Sequence, residues 1–271
     1  MDFKLLIKTS RPASWVLPPL IFLMGIIYSG ATVNIISVIQ IVLLSFPLCL
    51  LVYGINDVYD YESDQLNPRK KLIEGIKLEK KDHSFVKKAS LIVIILLIVI
   101  SLLTLNGTNI LFTFILVFLS YFYSAPPLRL KEKPPLDSIS NGLIVLLVFM
   151  LGFSYNKTFF DITKQVCFCA LCVSAVHAFS TISDIIPDKQ AKNKTFAIVF
   201  GEKPTIIFSL IIFILAFIFS GIETIAIRYY FLFCAVLLVI NLIFSSRKLS
   251  ILLFRLMFIG AIVTAFLYII S

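Results

Sequence analysis

Charged residues are scarce in this sequence. Only 14% of its 271 residues are Asp, Glu, Lys or Arg, whereas 59% are hydrophobic and the mean hydropathy is +1.01. This shortage of charge excludes an ordinary soluble domain, in which about a quarter of the residues are charged. The composition is typical of an integral membrane protein.

Histidine is scarce too, and this limits the metal chemistry open to the cysteines. The chain has two His and five Cys residues. All five cysteines lie inside apolar runs, at positions 49, 167, 169, 172 and 234. Three of them cluster between 167 and 172, but no His or further Cys completes a zinc ligand set. We therefore interpret the cysteines as small apolar packing residues.

Polar stretches long enough to form a soluble domain are missing as well, and most of the chain divides into apolar runs of membrane-spanning length. Nine runs are predicted, near residues 13–29, 33–55, 84–104, 109–124, 138–156, 163–183, 203–221, 226–245 and 250–270. The sequence therefore predicts an all-α polytopic membrane protein, a bundle of about nine transmembrane helices formed by a single domain over residues 1–271. Because no small-residue cleavage site follows the basic opening segment, we expect no removed signal peptide.

The basic residues predict an orientation. All but three of the 24 Lys and Arg residues fall on one side of the predicted topology, the exceptions being Lys157, Lys164 and Arg228. Basic residues near the ends of spanning segments resist translocation, so the N-terminus is expected to be cytoplasmic. The net charge of +9 is then explained by loops that face an anionic leaflet of membrane lipids, and no nucleic-acid partner is expected.

Four side chains with oxygen donors follow the second apolar run, in the stretch GINDVYDYESDQLNPRKK at 54–71. They are Asn56, Asp57, Asp60 and Asp64. If the helix continues past Gly54, the three acids lie at i, i+3 and i+7 and share one stripe. Like charges on one stripe repel, and oxygen ligands favour Mg²⁺ as the cation that neutralises them. The alternative is a solvated helix end at the lipid headgroups.

A second acidic stretch on the same predicted face repeats this arrangement. In ISDIIPDKQAKNKT, Asp184 and Asp188 have the same spacing as Asp60 and Asp64, and Lys189, Lys192 and Lys194 follow. Between the two acidic stretches lies YFYSAPPLRLKEKPPLD at 121–137, where paired prolines end a helix and Arg129 and Lys131 follow closely. The repetition indicates a shared metal site rather than surface decoration.

Acids that hold Mg²⁺, with Arg and Lys nearby, are the groups required to bind a diphosphate. In a membrane protein, such a site suits a ligand with a charged head and a hydrocarbon tail, as in isoprenoid diphosphates. The chain resembles the UbiA-type intramembrane prenyltransferases in NDVYDYESD at 56–64, YSAPPLRLKEKPPLD at 123–137 and DIIPD at 184–188. SRPASW at 10–15 is similar to the family's lead into its first helix.

The resemblance implies a helical bundle around a central cavity. Two Mg²⁺ ions would bridge a diphosphate between Asn56, Asp57, Asp60 and Asp64 on one side and Asp184 and Asp188 on the other. Tyr123, Arg129 and Lys131 would grip the leaving diphosphate, and Lys192 is a further candidate for substrate binding. The implied reaction is Mg²⁺-dependent prenyl transfer from an allylic isoprenoid diphosphate, by ionisation and attack of a lipophilic acceptor on the carbocation.

The sequence does not decide the identity of the prenyl acceptor. The stretch LNPRKKLIEG at 66–75 is similar to the lycopene-elongase branch, which places a carotenoid or other isoprenoid ahead of a quinone precursor. The alternatives are a geranylgeranylglyceryl phosphate-type ether-lipid prenyltransferase, a transporter, or a non-catalytic binder of lipid diphosphates. A CDP-alcohol phosphotransferase is disfavoured because its DGxxAR element is missing. A transporter is disfavoured because its acids are usually expected near the midplane of the membrane.

Two residues and one basic cluster are weaker candidates for the site, and each has two interpretations. His177, seven residues before Asp184, is either an acceptor-side residue or a structural histidine. Asp137 belongs to the central loop motif or caps a helix. The basic residues Arg69, Lys70 and Lys71 either supplement diphosphate binding or act only in orienting the protein in the membrane.

Overall fold

A computed structural model describes residues 3–66 and 76–271, apart from the side chain of Leu66. Within these ranges every regular element is a helix. Eight segments are long and apolar enough to cross a membrane, and Gly107–Phe122 is a shorter apolar helix. The prediction of an all-α protein with about nine transmembrane helices is therefore confirmed for the described part of the chain.

The helices group into two compact units. The first unit comprises residues 1–129 and 147–160, and the second comprises 130–146 and 161–271. The helices of the first unit are α1 (Phe3–Thr9), α2 (Leu17–Ser29), α3 (Ile35–Leu44), α4 (Phe46–Tyr59), α5 (Tyr61–Leu66), α6 (His83–Leu103) and α7 (Gly107–Phe122). Helix α8 (Leu136–Phe153) contributes residues to both units.

The second unit holds the remaining helices. They are α9 (Lys164–Ser180), α10 (Ile185–Gln190), α11 (Phe196–Phe200), α12 (Glu202–Phe219), α13 (Ile225–Ile243) and α14 (Arg247–Ile270). Short 3₁₀ turns lie at Pro12–Ser14, Lys80–Asp82, Leu130–Glu132, Phe159–Asp161 and Thr181–Asp184.

The predicted run at 33–55 is two helices rather than one. Helix α3 ends at Leu44, and α4 begins at Phe46 with a proline in its first turn. Pro47 has no N–H to donate to the carbonyl four residues earlier, and its ring clashes with that carbonyl, so the chain breaks at Ser45. The break sets the direction of α4, the helix that leads into the first acidic stretch.

Close helix crossings hold the first unit together. A Cβ atom on Gly25 would overlap the carbonyl oxygen of Phe149, and one on Gly152 would overlap that of Phe22. Helices α2 and α8 therefore approach backbone to backbone, as small residues allow inside membranes. The side chains of Phe22 and Leu151 beside this crossing are fully buried.

A buried polar network ties four helices of the first unit. The amide oxygen of Asn109 accepts hydrogen bonds from Gln40 Nε2 (2.9 Å) and Ser101 Oγ (3.0 Å). Its amide nitrogen donates to the Leu151 carbonyl (3.1 Å) and to Ser154 Oγ (3.0 Å). All four bonding positions of the Asn109 side chain are thus used, which makes this cluster a structural element.

Candidate functional site

The first acidic segment, residues 56–64, lies at the junction of α4 and α5. Asp60 interrupts the helix with φ −100° and ψ 11°. The backbone nevertheless keeps the helical hydrogen bonds from Asp60 N to the Asn56 carbonyl and from Asp64 N to the Asp60 carbonyl, both 2.8 Å. The predicted continuous helix is therefore broken at one residue, while the i to i+4 relation of Asp60 and Asp64 is preserved.

Polar side chains surround Asp60. Asn56 Nδ2 donates to Asp60 Oδ2 (2.8 Å) and to Ser124 Oγ (3.1 Å), which joins the segment to the residue after Tyr123. The Nη2 atom of Arg129 lies 4.0 Å from Asp60 Oδ1, at the edge of ion-pair distance. Arg129 Nη1 also donates to the Tyr59 carbonyl at 3.5 Å. The structure thus brings together three of the predicted site residues, Asn56, Asp60 and Arg129.

Asp57 has a different environment from that of Asp60. Its side chain is fully buried and accepts a hydrogen bond from Arg11 Nη2 at 3.1 Å. The Arg11 guanidinium lies 4.3 Å above the ring of Tyr53, one helical turn before Asp57. Burial opposes the charge of Arg11, but Asp57, Tyr53 and Asp64 outweigh it and raise the pKa of the guanidinium. A charged arginine therefore neutralises the most buried acid of the segment.

The chain around Arg11 is held against α4 by several contacts. Arg11 has a left-handed backbone, with φ 53°, which costs a non-glycine residue about 1–3 kcal/mol. Tyr53 Oη donates to Ser14 Oγ (3.2 Å), and Ser45 Oγ donates to the Trp15 carbonyl (3.0 Å). The sequence singled out Arg11 only as a basic residue within SRPASW. No spacing pattern could reveal the ion pair, because Asp57 is 46 residues away.

The central loop contributes one cation to each unit. Arg129 has φ 41° and ends a turn in which its N–H donates to the Ala125 carbonyl (3.0 Å). Tyr123 directly follows α7. Lys131 belongs to the 3₁₀ turn Leu130–Glu132 of the second unit and is 8% exposed. Its ammonium group interacts electrostatically with the carboxylate of Asp188.

The second acidic segment, residues 181–195, contains the other two predicted acids. Asp184 is the last residue of the 3₁₀ turn Thr181–Asp184, and Asp188 lies in α10. Asn193 donates to Asp188 twice, from its side chain to Oδ1 (3.3 Å) and from its backbone to the carbonyl (2.9 Å). Lys192 lies in the exposed turn that follows, with φ 59°. Asp184, Asp188 and Lys131 thus belong to one unit.

Asp137 and His177 support this segment. Asp137 is buried; its Oδ2 accepts from Phe196 N, at the start of α11, and its Oδ1 accepts from Ser138 N, both at 2.7 Å. Asp137 is the second residue of α8 and caps the start of another helix, α11, whereas the sequence placed the cap at the start of the fifth span. His177 Nδ1 lies 3.2 Å from Ser138 Oγ, which provides a structural partner for the imidazole.

The donor chemistry of both segments fits Mg²⁺. Within the described residues, no group of three or more His, Cys, Asp or Glu side chains is arranged to hold a metal ion alone. Proteins usually bind Mg²⁺ through one or two carboxylates, completed by water and substrate phosphates. Asp60 and Asp64 in the first segment, and Asp184 and Asp188 in the second, supply carboxylates of this kind.

Some of the residues that the sequence analysis singled out lie outside the described part of the chain. Arg69, Lys70 and Lys71 fall in 67–75, as does nearly all of the stretch LNPRKKLIEG at 66–75. Their contribution to diphosphate binding stays a prediction.

Comparisons with known proteins give one family. Residues 16–252 match the profile of the UbiA prenyltransferase family. The lycopene elongase/hydratase of Corynebacterium glutamicum is 29% identical over 215 residues, which covers 79% of this chain and 75% of that protein. The C(50) beta-cyclic carotenoids biosynthesis protein LbtBC of Dietzia sp. is 31% identical over 212 residues, 77% of this chain. The chain spans about half the length of the Dietzia protein, of which the match covers 49%.

Solved structures show the same fold. A UbiA homolog from Archaeoglobus fulgidus bound to DMAPP and Mg²⁺ superposes with a TM-score of 0.65 at 20% identity, over 98% of this chain and 99% of that chain. A structure described for digeranylgeranylglyceryl phosphate synthase gives a TM-score of 0.68 at 19% identity, over 98% and 97% of the two chains. At these identities the likeness concerns the fold alone.

Proposed function

Because this chain belongs to the UbiA prenyltransferase family, we propose that it transfers a prenyl group from an allylic isoprenoid diphosphate to a lipophilic acceptor in a Mg²⁺-dependent reaction. The proposed metal ligands are Asn56, Asp57, Asp60, Asp64, Asp184 and Asp188, and the five acids and Lys131 are the proposed catalytic residues. The proposed contacts of the diphosphate are Asn56, Tyr123, Arg129, Lys131 and Lys192.

One observation carries the proposal. Each acidic segment has a cation from the same short loop: Arg129 lies 4.0 Å from Asp60, and the charge of Lys131 interacts electrostatically with Asp188. Carboxylates alone would repel a diphosphate, and cations alone would need no Asp residues at fixed spacing. Acids for the metal and bases for the remaining phosphate charge are together what a Mg²⁺-diphosphate ligand requires.

The proposed reaction breaks the allylic C–O bond and leaves the electron pair on the diphosphate. Bound Mg²⁺ would supply Lewis-acid stabilisation of that leaving group. Arg129 and Lys131 would add charge-assisted hydrogen bonds to the phosphate oxygens, which grow stronger as negative charge develops there. The acceptor then forms a carbon–carbon bond to the allylic cation and loses a proton.

The apolar helices have a part in this chemistry. Water would capture an allylic cation as a prenyl alcohol, so the reaction needs a site from which water is excluded. The chain is a multi-pass integral membrane protein, and its spanning helices supply an apolar environment for the hydrocarbon tail. We propose a cytoplasmic N-terminus, on the basis of the one-sided distribution of Lys and Arg.

A carotenoid is the acceptor that we favour. The relatives that cover most of the chain are named for lycopene elongation and for C(50) carotenoid biosynthesis. A quinone precursor is the next candidate, and a glycerol-phosphate ether lipid follows it. These acceptors differ in polarity and length, so a single assay with separate acceptors discriminates among them.

The test is an incubation of purified protein with Mg²⁺, allylic diphosphates of several lengths and one acceptor at a time, with mass spectrometry of the products. We expect a Mg²⁺-dependent adduct with a carotenoid. Asp60→Asn and Asp184→Asn should each reduce the rate by more than about 100-fold, since even the partners of metal ligands typically contribute 10–100-fold.

Glu62→Gln is the matched control for Asp60→Asn. Glu62 is an exposed acid in α5, two residues away, and the substitution removes the same charge. Equal rates for Asp60→Asn and Glu62→Gln would contradict the metal-site assignment. A failure of the wild-type protein to bind any allylic diphosphate would contradict the whole proposal.

A further inference from the structure

Arg247 binds the backbone of the second acidic segment. It is the first residue of α14, and its Nε and Nη2 atoms donate to the carbonyl oxygen of Ser183 at 3.0 and 2.8 Å. Ser183 directly precedes Asp184, so the guanidinium grips the peptide group that joins these two residues. The contact links positions 64 residues apart, and in the sequence Arg247 is only one of 24 basic residues.

The Ser183 carbonyl needs a partner for a reason visible in the sequence. In a continuous helix, this carbonyl would accept the N–H of the residue four positions later, which is Pro187. Proline has no N–H, so that hydrogen bond cannot form. Ser183 is 2% exposed, and a buried carbonyl without a partner costs about 1–3 kcal/mol. Arg247 supplies the missing donors.

Hydrogen bonds in the first two turns of α14 fix the position from which the Arg247 side chain extends. Ser246 Oγ accepts the N–H of Leu249 (3.2 Å), which caps the first turn of α14. One turn further, Ser250 Oγ accepts a hydrogen bond from Asn241 Nδ2 of α13 at 3.1 Å, and both residues are fully buried. The arginine therefore extends from a helix start that is itself anchored to the second unit.

We infer that Arg247 is a positioning residue for Asp184: it fixes the Ser183–Asp184 peptide group and thereby directs the Asp184 carboxylate toward a Mg²⁺-diphosphate ligand. This inference rests on the proposed function of Asp184. A role confined to membrane orientation would need only the positive charge, whereas positioning needs two donors in a fixed plane, which arginine has and lysine lacks.

The experiment measures the binding of Mg²⁺ with inorganic pyrophosphate, by thermal stabilisation of the purified full-length protein, in parallel with the Mg²⁺ dependence of turnover. Arg247→Ala should raise the half-saturating Mg²⁺ concentration about tenfold, the lower end of the effect of removing a residue that orients a metal ligand. Arg247→Lys should give an intermediate shift. Millimolar methylguanidinium should restore part of the affinity of Arg247→Ala.

Lys248→Ala is the matched control, because Lys248 is the next residue, is exposed, and carries the same charge. It should bind Mg²⁺ and pyrophosphate as the wild type does. If Arg247→Ala folds and matches Lys248→Ala, the inference is wrong; if Arg247→Ala does not fold, Arg247→Lys is compared with Lys248→Ala in the same way. If the wild-type protein itself shows no stabilisation by Mg²⁺ with pyrophosphate, the proposed function fails, and the role of Arg247 fails with it.

Discussion

An arginine from a distant part of the chain supports each acidic segment, but the two arginines bind different groups. In the first segment, Arg11 pairs with a carboxylate, that of the fully buried Asp57. In the second segment, Arg247 donates two hydrogen bonds to a backbone carbonyl, that of Ser183. The first support depends mainly on charge compensation in a buried place, and the second on the planar arrangement of two donors.

This difference predicts how mutations of the two arginines should affect the protein. A buried carboxylate that loses its cation keeps an uncompensated charge, which is among the most costly defects in a folded protein. A carbonyl that loses its donors keeps only an unsatisfied dipole, which costs less. We therefore expect changes at the first support to reduce stability, and changes at the second to act mainly through geometry.

The largest effect is expected from Arg11→Gln. Removing one partner of a buried ion pair costs about 3–5 kcal/mol, and here the partner left behind is fully buried. The free energy of unfolding in detergent should fall by that amount. Adding Asp57→Asn in the same chain should restore part of the loss, because no unpaired charge then remains buried.

Lys8→Gln is the control for this prediction, since it removes the same charge from α1, three residues earlier. If Arg11→Gln and Lys8→Gln unfold at the same temperature, the Arg11–Asp57 pair does not stabilise the first segment. If the double variant is less stable than Arg11→Gln, charge compensation is the wrong explanation for the pair.

A smaller effect is expected from Gly142→Ala, which disturbs the helix that leads into Asp184. A Cβ on Gly142 would overlap Ser174 Oγ and lie 2.5 Å from the Ala170 carbonyl of α9, and a backbone carbonyl cannot easily move aside. Such overpacking costs about 1–3 kcal/mol. The measurement is the thermal unfolding temperature in detergent.

Gly54→Ala likewise adds a methyl group at a helix contact, in α4, the helix that leads into the first acidic segment. Its Cβ would meet a side-chain atom, Val86 Cγ1, at 2.9 Å, and the gain in helix propensity of about 1 kcal/mol offsets part of the strain. Gly54→Ala should therefore lower the unfolding temperature less than Gly142→Ala does. The opposite order would show that backbone contact does not limit the α8–α9 crossing.

The smallest effect is expected from Thr181→Val. The Thr181 hydroxyl accepts the N–H of Ala197 at 3.0 Å and donates to the Ala178 carbonyl at 2.7 Å, both within the second unit. Valine has nearly the same shape, so the loss should be mainly that of leaving the buried Ala197 N–H without an acceptor, about 1 kcal/mol at the lower end of the range for such groups. Thr181→Ser keeps the hydroxyl and should retain most of the stability. If Thr181→Ser loses more stability than Thr181→Val does, the effect comes from packing of the methyl group and not from the hydrogen bonds.

The apolar runs predicted the helices well, because a spanning segment is a local property of about 20 residues. The exceptions have local causes as well. Pro47 divides the second run into α3 and α4, and α7 is shorter than the other spans. The break of the helix at Asp60 was not predicted. Asp60 N still donates to the Asn56 carbonyl and the Asp60 carbonyl still accepts from Asp64 N, and no residue type in the sequence marks such a local change of backbone angles.

Spacing and the family resemblance predicted the residues of the two acidic segments, and their role in binding metal stays a prediction. The structure adds their neighbours within each unit: Asn56 and Arg129 lie beside Asp60, Asn193 donates a hydrogen bond to Asp188, and Lys131 interacts with Asp188 electrostatically. Asp137 shows the limit of such reasoning, since a loop motif and a helix cap look alike in sequence. Only the hydrogen bond from Phe196, 59 residues later, identifies the cap.

The sequence by itself determined the membrane-protein class and the approximate number of spans, because composition and short-range periodicity carry this information; it also predicts Asp60, Asp64, Asp184 and Asp188 as metal ligands. The tertiary structure decided that Arg11 compensates Asp57 and that Arg247 holds the Ser183 carbonyl. These partners are 46 and 64 residues apart. Such contacts form only when helices pack, and packing depends on the shapes of side chains along whole helix faces rather than on any short pattern.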